Sequence, residues 1–165
     1  MLDAFVDRAL RQGITATPIE GAWPQVAPTT EVADVVVCHH VAYNVSDLSS
    51  FVRALMERTI SRTVIELTTL HPMTWLAPYW RSLYDLDQPD RPTADDAIAV
   101  LRELGIAVHQ RHWTRPIQMI GETGDDQLAR VARRLCLPAE RLNELRVALS
   151  ERPPPVEREV VTVWW

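Results

Sequence analysis

Two apolar runs constrain this chain more than any other feature. "ADVVVCHH" (33–40) and "RTVIELTTL" (62–70) are nearly continuous in β-branched and other apolar residues. That is the pattern of strands buried on both faces of a parallel sheet. Two parallel strands need a crossover of a dozen or more residues, usually a helix. The segment between the runs supplies one. Asp47 is a good N-cap. Leu48, Phe51, Val52, Leu55 and Met56 then fall on one helical face.

The same alternation continues on either side. Leu2, Phe5, Val6, Ala9 and Leu10 repeat at helical spacing, and Gly13 closes that helix. "ITATPIE" (14–20) reads as a short strand ending at Gly21, and "WPQVAP" as a loop. After the second apolar run His71-Pro72 is a break, and the aromatic-rich "MTWLAPYWRSLY" (73–84) reads as a helix. "DLDQPDRP" (85–92) is a loop. "TADDAIAVLRELG" (93–105) has Thr93 at N-cap, Asp96 at N3 and a closing glycine. "IAVHQRHW" (106–113) reads as a strand, 124–135 and 138–151 as helices, and "VEREVVTVWW" (156–165) as a final strand. Strands alternating with helices predict an α/β protein with a largely parallel sheet.

Composition narrows the function classes. The 165 residues, 47% hydrophobic and 24% charged, suffice for one domain with a real core, spanning 1–165. The net charge of -5 gives no electrostatic footprint for nucleic acid. Two cysteines, Cys38 and Cys136, are too few for a disulfide framework, so a reducing, cytoplasmic setting is expected. No basic segment followed by an apolar run suggests a signal peptide. No apolar run approaches the roughly 20 residues that span a bilayer, so no membrane partner is expected. The five glycines include nothing like G-x-G-x-x-G; the only close pair is Gly121 and Gly124.

At "ADVVVCHHVAYNVSDLSSFVRAL" the chain resembles class I S-adenosylmethionine-dependent methyltransferases, at the fourth-strand region of their small-molecule branch. Asp34, Val36, Val41, Val45, Asp47 and Leu48 match that region's pattern. Asn44 stands where the family usually has His, and Ala42 where it often has Leu. "RTVIELTTLHP" is similar to the fifth strand, and "TADDAIAVLRELG" to the helix before the sixth. "IAVHQRHW" and "VEREVVTVWW" are similar to the antiparallel sixth and seventh strands, and "ITATPIEGAW" to the third strand and its loop. The resemblance covers nearly the whole chain but only the later part of the family's domain. It implies a Rossmann-like, mostly parallel sheet with helices on both faces and an antiparallel C-terminal strand. The family's first strands and Gly-rich loop would precede Met1.

Ligands of open α/β sheets bind beyond the carboxyl ends of the strands, at a switch point. Cys38, His39 and His40 end a central strand and so would face that crevice. The resemblance implies that they touch the methionine part of S-adenosylmethionine or the incoming substrate. It puts Glu20, Gly21, Ala22 and Trp23 near the adenine, with Trp23 able to stack on it. His40 or Tyr43 would orient a nucleophile or take its proton, since His titrates near neutral pH. Tyr43, Asn44, Trp75 and Trp80 would contact the acceptor, a small molecule by default.

Plainer readings stand beside these. His39-His40 can be a solvated strand-to-loop turn. A metal site fits poorly, because adjacent strand residues point to opposite faces. Cys38 reads as a small buried residue. Trp75, Tyr79, Trp80 and Tyr84 include helical spacings and can simply pack against the sheet. Of Trp164 and Trp165 at least one ring should pack. The reading that gathers most of these features is methyl transfer to a small-molecule nucleophile. Its alternative is a non-catalytic methyltransferase-like remnant or interaction module. In either case loss of the first strand leaves an apolar strand edge open, which predicts a homodimer or a partner chain.

Overall fold

A computed structural model of the chain describes residues 2–117 and 124–165. Gly121, singled out above, lies outside them. The apolar runs form β1 (Ala33–His39) and β2 (Thr59–Thr68), paired in parallel from Ala33 opposite Thr59 to His39 opposite Glu66. The crossover is α2 (Leu48–Glu57), with the Ser50 N–H donating to Asp47 Oδ1 at 2.9 Å as the N-cap. The last strand, β4 (Glu157–Trp164), runs antiparallel to β2 and also to β3 (His109–Pro116). The sheet order is β1-β2-β4-β3. Hence β1, β2 and β3 point one way and only β4 is reversed.

Two helical groups flank this sheet. On one face Phe51, Val52 and Leu55 of α2 pack with Ile98 and Leu101 of α4 (Ala94–Glu103). They bury Cys38, Ile65, Leu67, Val161 and Val163, one from every second position of three strands. Each such aliphatic side chain contributes about 1.5–3 kcal/mol by leaving water. The second group joins α3 (Ala77–Tyr84), α5 (Gly124–Arg134) and α6 (Leu142–Glu151) around Leu76, Tyr79, Val131, Leu135 and Leu145. Thr93 and Asp96 form the expected capping box of α4.

Three expectations need correction. Residues 14–20 are not a strand. A strand requires a neighbour, and this stretch pairs with none among the described residues; Ile14 and Ile19 are exposed. Residues 106–108 connect α4 to β3 instead of opening the strand. Gly105 turns at φ 78, the Ile106 N–H returns to the Leu101 carbonyl, and Ile106 and Val108 pack on the core. In 73–84 the α-helix starts only at Ala77, after a 3-10 turn at Thr74–Leu76. Pro78, which lacks an N–H, suits that first turn.

The first helix, α1 (Leu2–Arg11), buries only Ala9. Its Phe5 and Leu10 are exposed, as are Val35 and Val37 on the outer face of β1. On β1's other side no described strand pairs with it. Both terminal tryptophans pack: Trp164 stacks on His109 at 5.7 Å and Trp165 lies on the α2/α4 core.

Candidate functional site

The carboxyl ends of β1 and β2 carry a connected polar cluster. His40 follows β1 directly, its N–H donating to the Glu66 carbonyl at 2.9 Å. Its φ of 55 is the left-handed region that non-glycine residues rarely occupy. The chain therefore turns there, leaving His39 exposed and His40 half-buried. A 3-10 turn at Ala42–Asn44 then sets the Tyr43 ring parallel to His40, with centroids 6.5 Å apart. Tyr43 also meets the edge of His71 at 5.6 Å.

Glu66 is the centre of charge. It is 7% exposed, in the middle of an otherwise apolar and threonine-bearing strand. Its Oε1 lies 3.1 Å from His40 Nε2 and 3.3 Å from Arg115 Nη1. Arg115 comes from β3, opposite Arg158 of β4, so its guanidinium reaches back across β4. Tyr43 Oη accepts the Thr68 N–H, and it lies 2.9 Å from Thr68 Oγ1 and 3.3 Å from His40 Nδ1.

These contacts assign the protons. Thr68 Oγ1 donates to the Leu70 carbonyl at 2.5 Å, so its own proton is committed. With Nε2–H toward the Glu66 carboxylate, His40 Nδ1 is left as an acceptor, and the Tyr43 O–H has two acceptors in reach, Thr68 Oγ1 at 2.9 Å and His40 Nδ1 at 3.3 Å. Burial lowers the His40 pKa, outweighing the opposing pull of Glu66; Arg115, Arg158 and His39 push it down further. The imidazole is thus neutral at neutral pH. Burial raises the Tyr43 pKa, so the phenol keeps its proton. The result is a carboxylate–imidazole–phenol line in which His40 can take a proton while Glu66 steadies the imidazolium.

Beside the cluster is a cavity of about 560 Å³, between the end of β2, the start of β4, and helices α3 and α5. Thr68 and His71 belong to both cluster and cavity, and Arg158 lines the cavity while acting on His40 and Tyr43. Trp75 supplies an aromatic wall, held edge-on against Tyr79 at 6.0 Å.

Of the residues expected from the sequence, His40 and Tyr43 are brought together and Trp75 lies at the cavity. Cys38 turns into the core, where burial raises its thiol to about 11. Asn44 is exposed. Trp80 does not line this cavity; it lies against Tyr84 at 5.2 Å in the helical group. Glu20, Gly21 and Ala22 are exposed, and a Cβ on Gly21 would overlap Val26. Trp23 is half-buried and its indole N–H donates to the Phe51 carbonyl at 3.2 Å. Sequence reasoning missed Glu66, Thr68, His71, Arg115 and Arg158. The one available signal was a single carboxylate inside "RTVIELTTL".

No protein-family model matches this chain, and no curated protein matches it. Among solved structures it is similar to the precorrin 8w decarboxylase of Methanobacterium thermoautotrophicum, with a TM-score of 0.51 and 14% identity. That alignment covers 99% of this chain and 62% of the decarboxylase, so the chain spans less than two thirds of that protein. It also aligns with a candidate methyltransferase of Bacillus halodurans C-125, with a TM-score of 0.47 and 12% identity, over 97% of this chain and 76% of the other. At such identities the likeness is one of fold. The mixed four-stranded sheet and its flanking helices are consistent with a Rossmann-like α/β fold.

Proposed function

We propose that the chain is the later part of an S-adenosylmethionine-dependent methyltransferase domain acting on a small-molecule nucleophile. The observation that carries this reading is the Glu66–His40–Tyr43 line at the carboxyl ends of two parallel strands, beside a partly apolar cavity. That is where open α/β sheets take their ligands. When bound, S-adenosylmethionine supplies an electrophilic methyl group. His40 receives the proton of the acceptor through Tyr43, and Trp75 and His71 wall the acceptor off from water. Methyl transfer needs chiefly alignment and a shielded site, so this modest machinery is enough.

The described residues fit one side of such a cofactor. His39, His40 and the turn after β1 offer polar contacts, and Glu20–Trp23 offer an exposed rim. The opposite side would come from beyond the unpaired edge of β1. That edge, with exposed Val35 and Val37, supports the second reading: a module that pairs with another copy or another chain. Melting the purified chain with S-adenosylhomocysteine tests the first reading. A ligand that binds only the folded state stabilises it by RT ln(1 + [L]/Kd). A saturable rise in Tm supports a cofactor site in this chain. A cooperative melt that ignores the compound sinks it and leaves the pairing module, which sedimentation would then reveal as a dimer.

A further inference from the structure

Three buried polar groups among the described residues have no hydrogen-bond partner and belong to residues that line one cavity. They are Arg158 Nε, Thr69 Oγ1 and Thr74 Oγ1. Buried polar atoms are almost always satisfied, by protein, water or ligand. Leaving a cationic donor dry and unpaired is the costliest of these cases. That three of them meet at the same cavity, next to the polar cluster, makes the cavity a site built for a polar ligand.

The sign of that ligand follows from the charges around it. In the lining Glu157, Glu159 and Arg134 are exposed, whereas Arg158 is half-buried. Glu66, the one buried carboxylate among the described residues, is already shared between His40 and Arg115. Arg158 therefore brings a half-buried cation with an unpartnered Nε to the cavity. Its other walls are apolar, among them Trp75, Pro72, Met73 and Pro78.

We propose that this cavity binds a small carboxylic acid with a flat apolar body, its carboxylate on Arg158 and its body against Trp75, with Thr69 and Thr74 taking further polar atoms. The inference deepens the methyltransferase reading and rests on it in one respect: such an acid would be the methyl acceptor. Arginine suits carboxylates because its planar fork matches them in geometry as well as charge.

The test is ligand-observed 19F NMR on the full chain without cofactor, comparing 4-fluorocinnamate with its neutral amide at millimolar concentration. The acid should show saturable line broadening, and the amide should bind at least about tenfold more weakly, the usual worth of a charge-assisted contact. Arg158→Gln should bring the acid down to the affinity of the amide. Equal binding of acid and amide, or no broadening by either with a folded chain, overturns the proposal. So does an Arg158→Gln protein that melts like the parent and still prefers the acid. The two readings separate cleanly. Acid binding without a shift by S-adenosylhomocysteine keeps the acid site and removes the methyltransferase; the converse removes only the acid site.

Discussion

Replacing Tyr43 by Phe isolates the polar cluster from the core beneath it. The phenol oxygen accepts the N–H of Thr68, a residue only 4% exposed. Thr68 cannot compensate, because its hydroxyl is committed to the Leu70 carbonyl. Tyr43→Phe therefore strands a buried donor, at about 1–3 kcal/mol. His40 Nδ1 also loses its partner, but that half-exposed ring can turn to water. A total near 2 kcal/mol should lower Tm by roughly 4–8 °C in a chain of this size. Tyr79→Phe is the control. Its hydroxyl donates to the carbonyl of Arg152, an exposed residue that water can satisfy, so the loss should be about 1 kcal/mol at most. Calorimetry at neutral pH reads both. If Tyr43→Phe melts at or above Tyr79→Phe, the phenol does not hold the Thr68 N–H, and the proton assignment built on it fails.

Stability should also depend on His40. Its folded pKa lies below the ordinary 6.5, so the unfolded chain binds the proton more tightly. Its contribution is full above 6.5 and is lost as pH falls through the folded value. Tm should drop between about pH 7 and pH 5, and His40→Gln should flatten that part of the profile; an unchanged profile in the variant rules His40 out. The two thiols should differ sharply. Cys136 is exposed and Cys38 is buried with a pKa near 11, so Ellman's reagent should titrate one thiol in the native chain and the second only in denaturant. Two fast native thiols would contradict the packing of β1. Cys136 also sits at φ 49, just past α5, where the Leu137 N–H closes on the Ala132 carbonyl. Glycine is favoured at such a position, so Cys136→Gly should stabilise the chain by about 1 kcal/mol, read as a rise in Tm.

How legible each feature was depended on how local its cause is. β1, β2, α2 and α4 could be read because run length, N-cap and apolar face all lie within a few consecutive residues. Asp47 and Thr93 cap as their sequence positions suggest. "ITATPIE" has the same local alternation and yet is no strand, because pairing is decided by a neighbour that no local pattern encodes. The site divides along the same line. His40 and Tyr43 are three residues apart in one turn, so their meeting was accessible. Glu66, Arg115 and Arg158 come from three strands, and only the β1-β2-β4-β3 order brings them to one end of the sheet. Yet Glu66 was not silent. A carboxylate placed where Ile65 and Leu67 are 2% exposed must be paired to be tolerated, and a paired buried charge means distant cations. The residue that breaks the apolar pattern of a central strand was thus the sequence's own pointer to Arg115 of β3, and Arg158, opposite it on β4, borders the cavity.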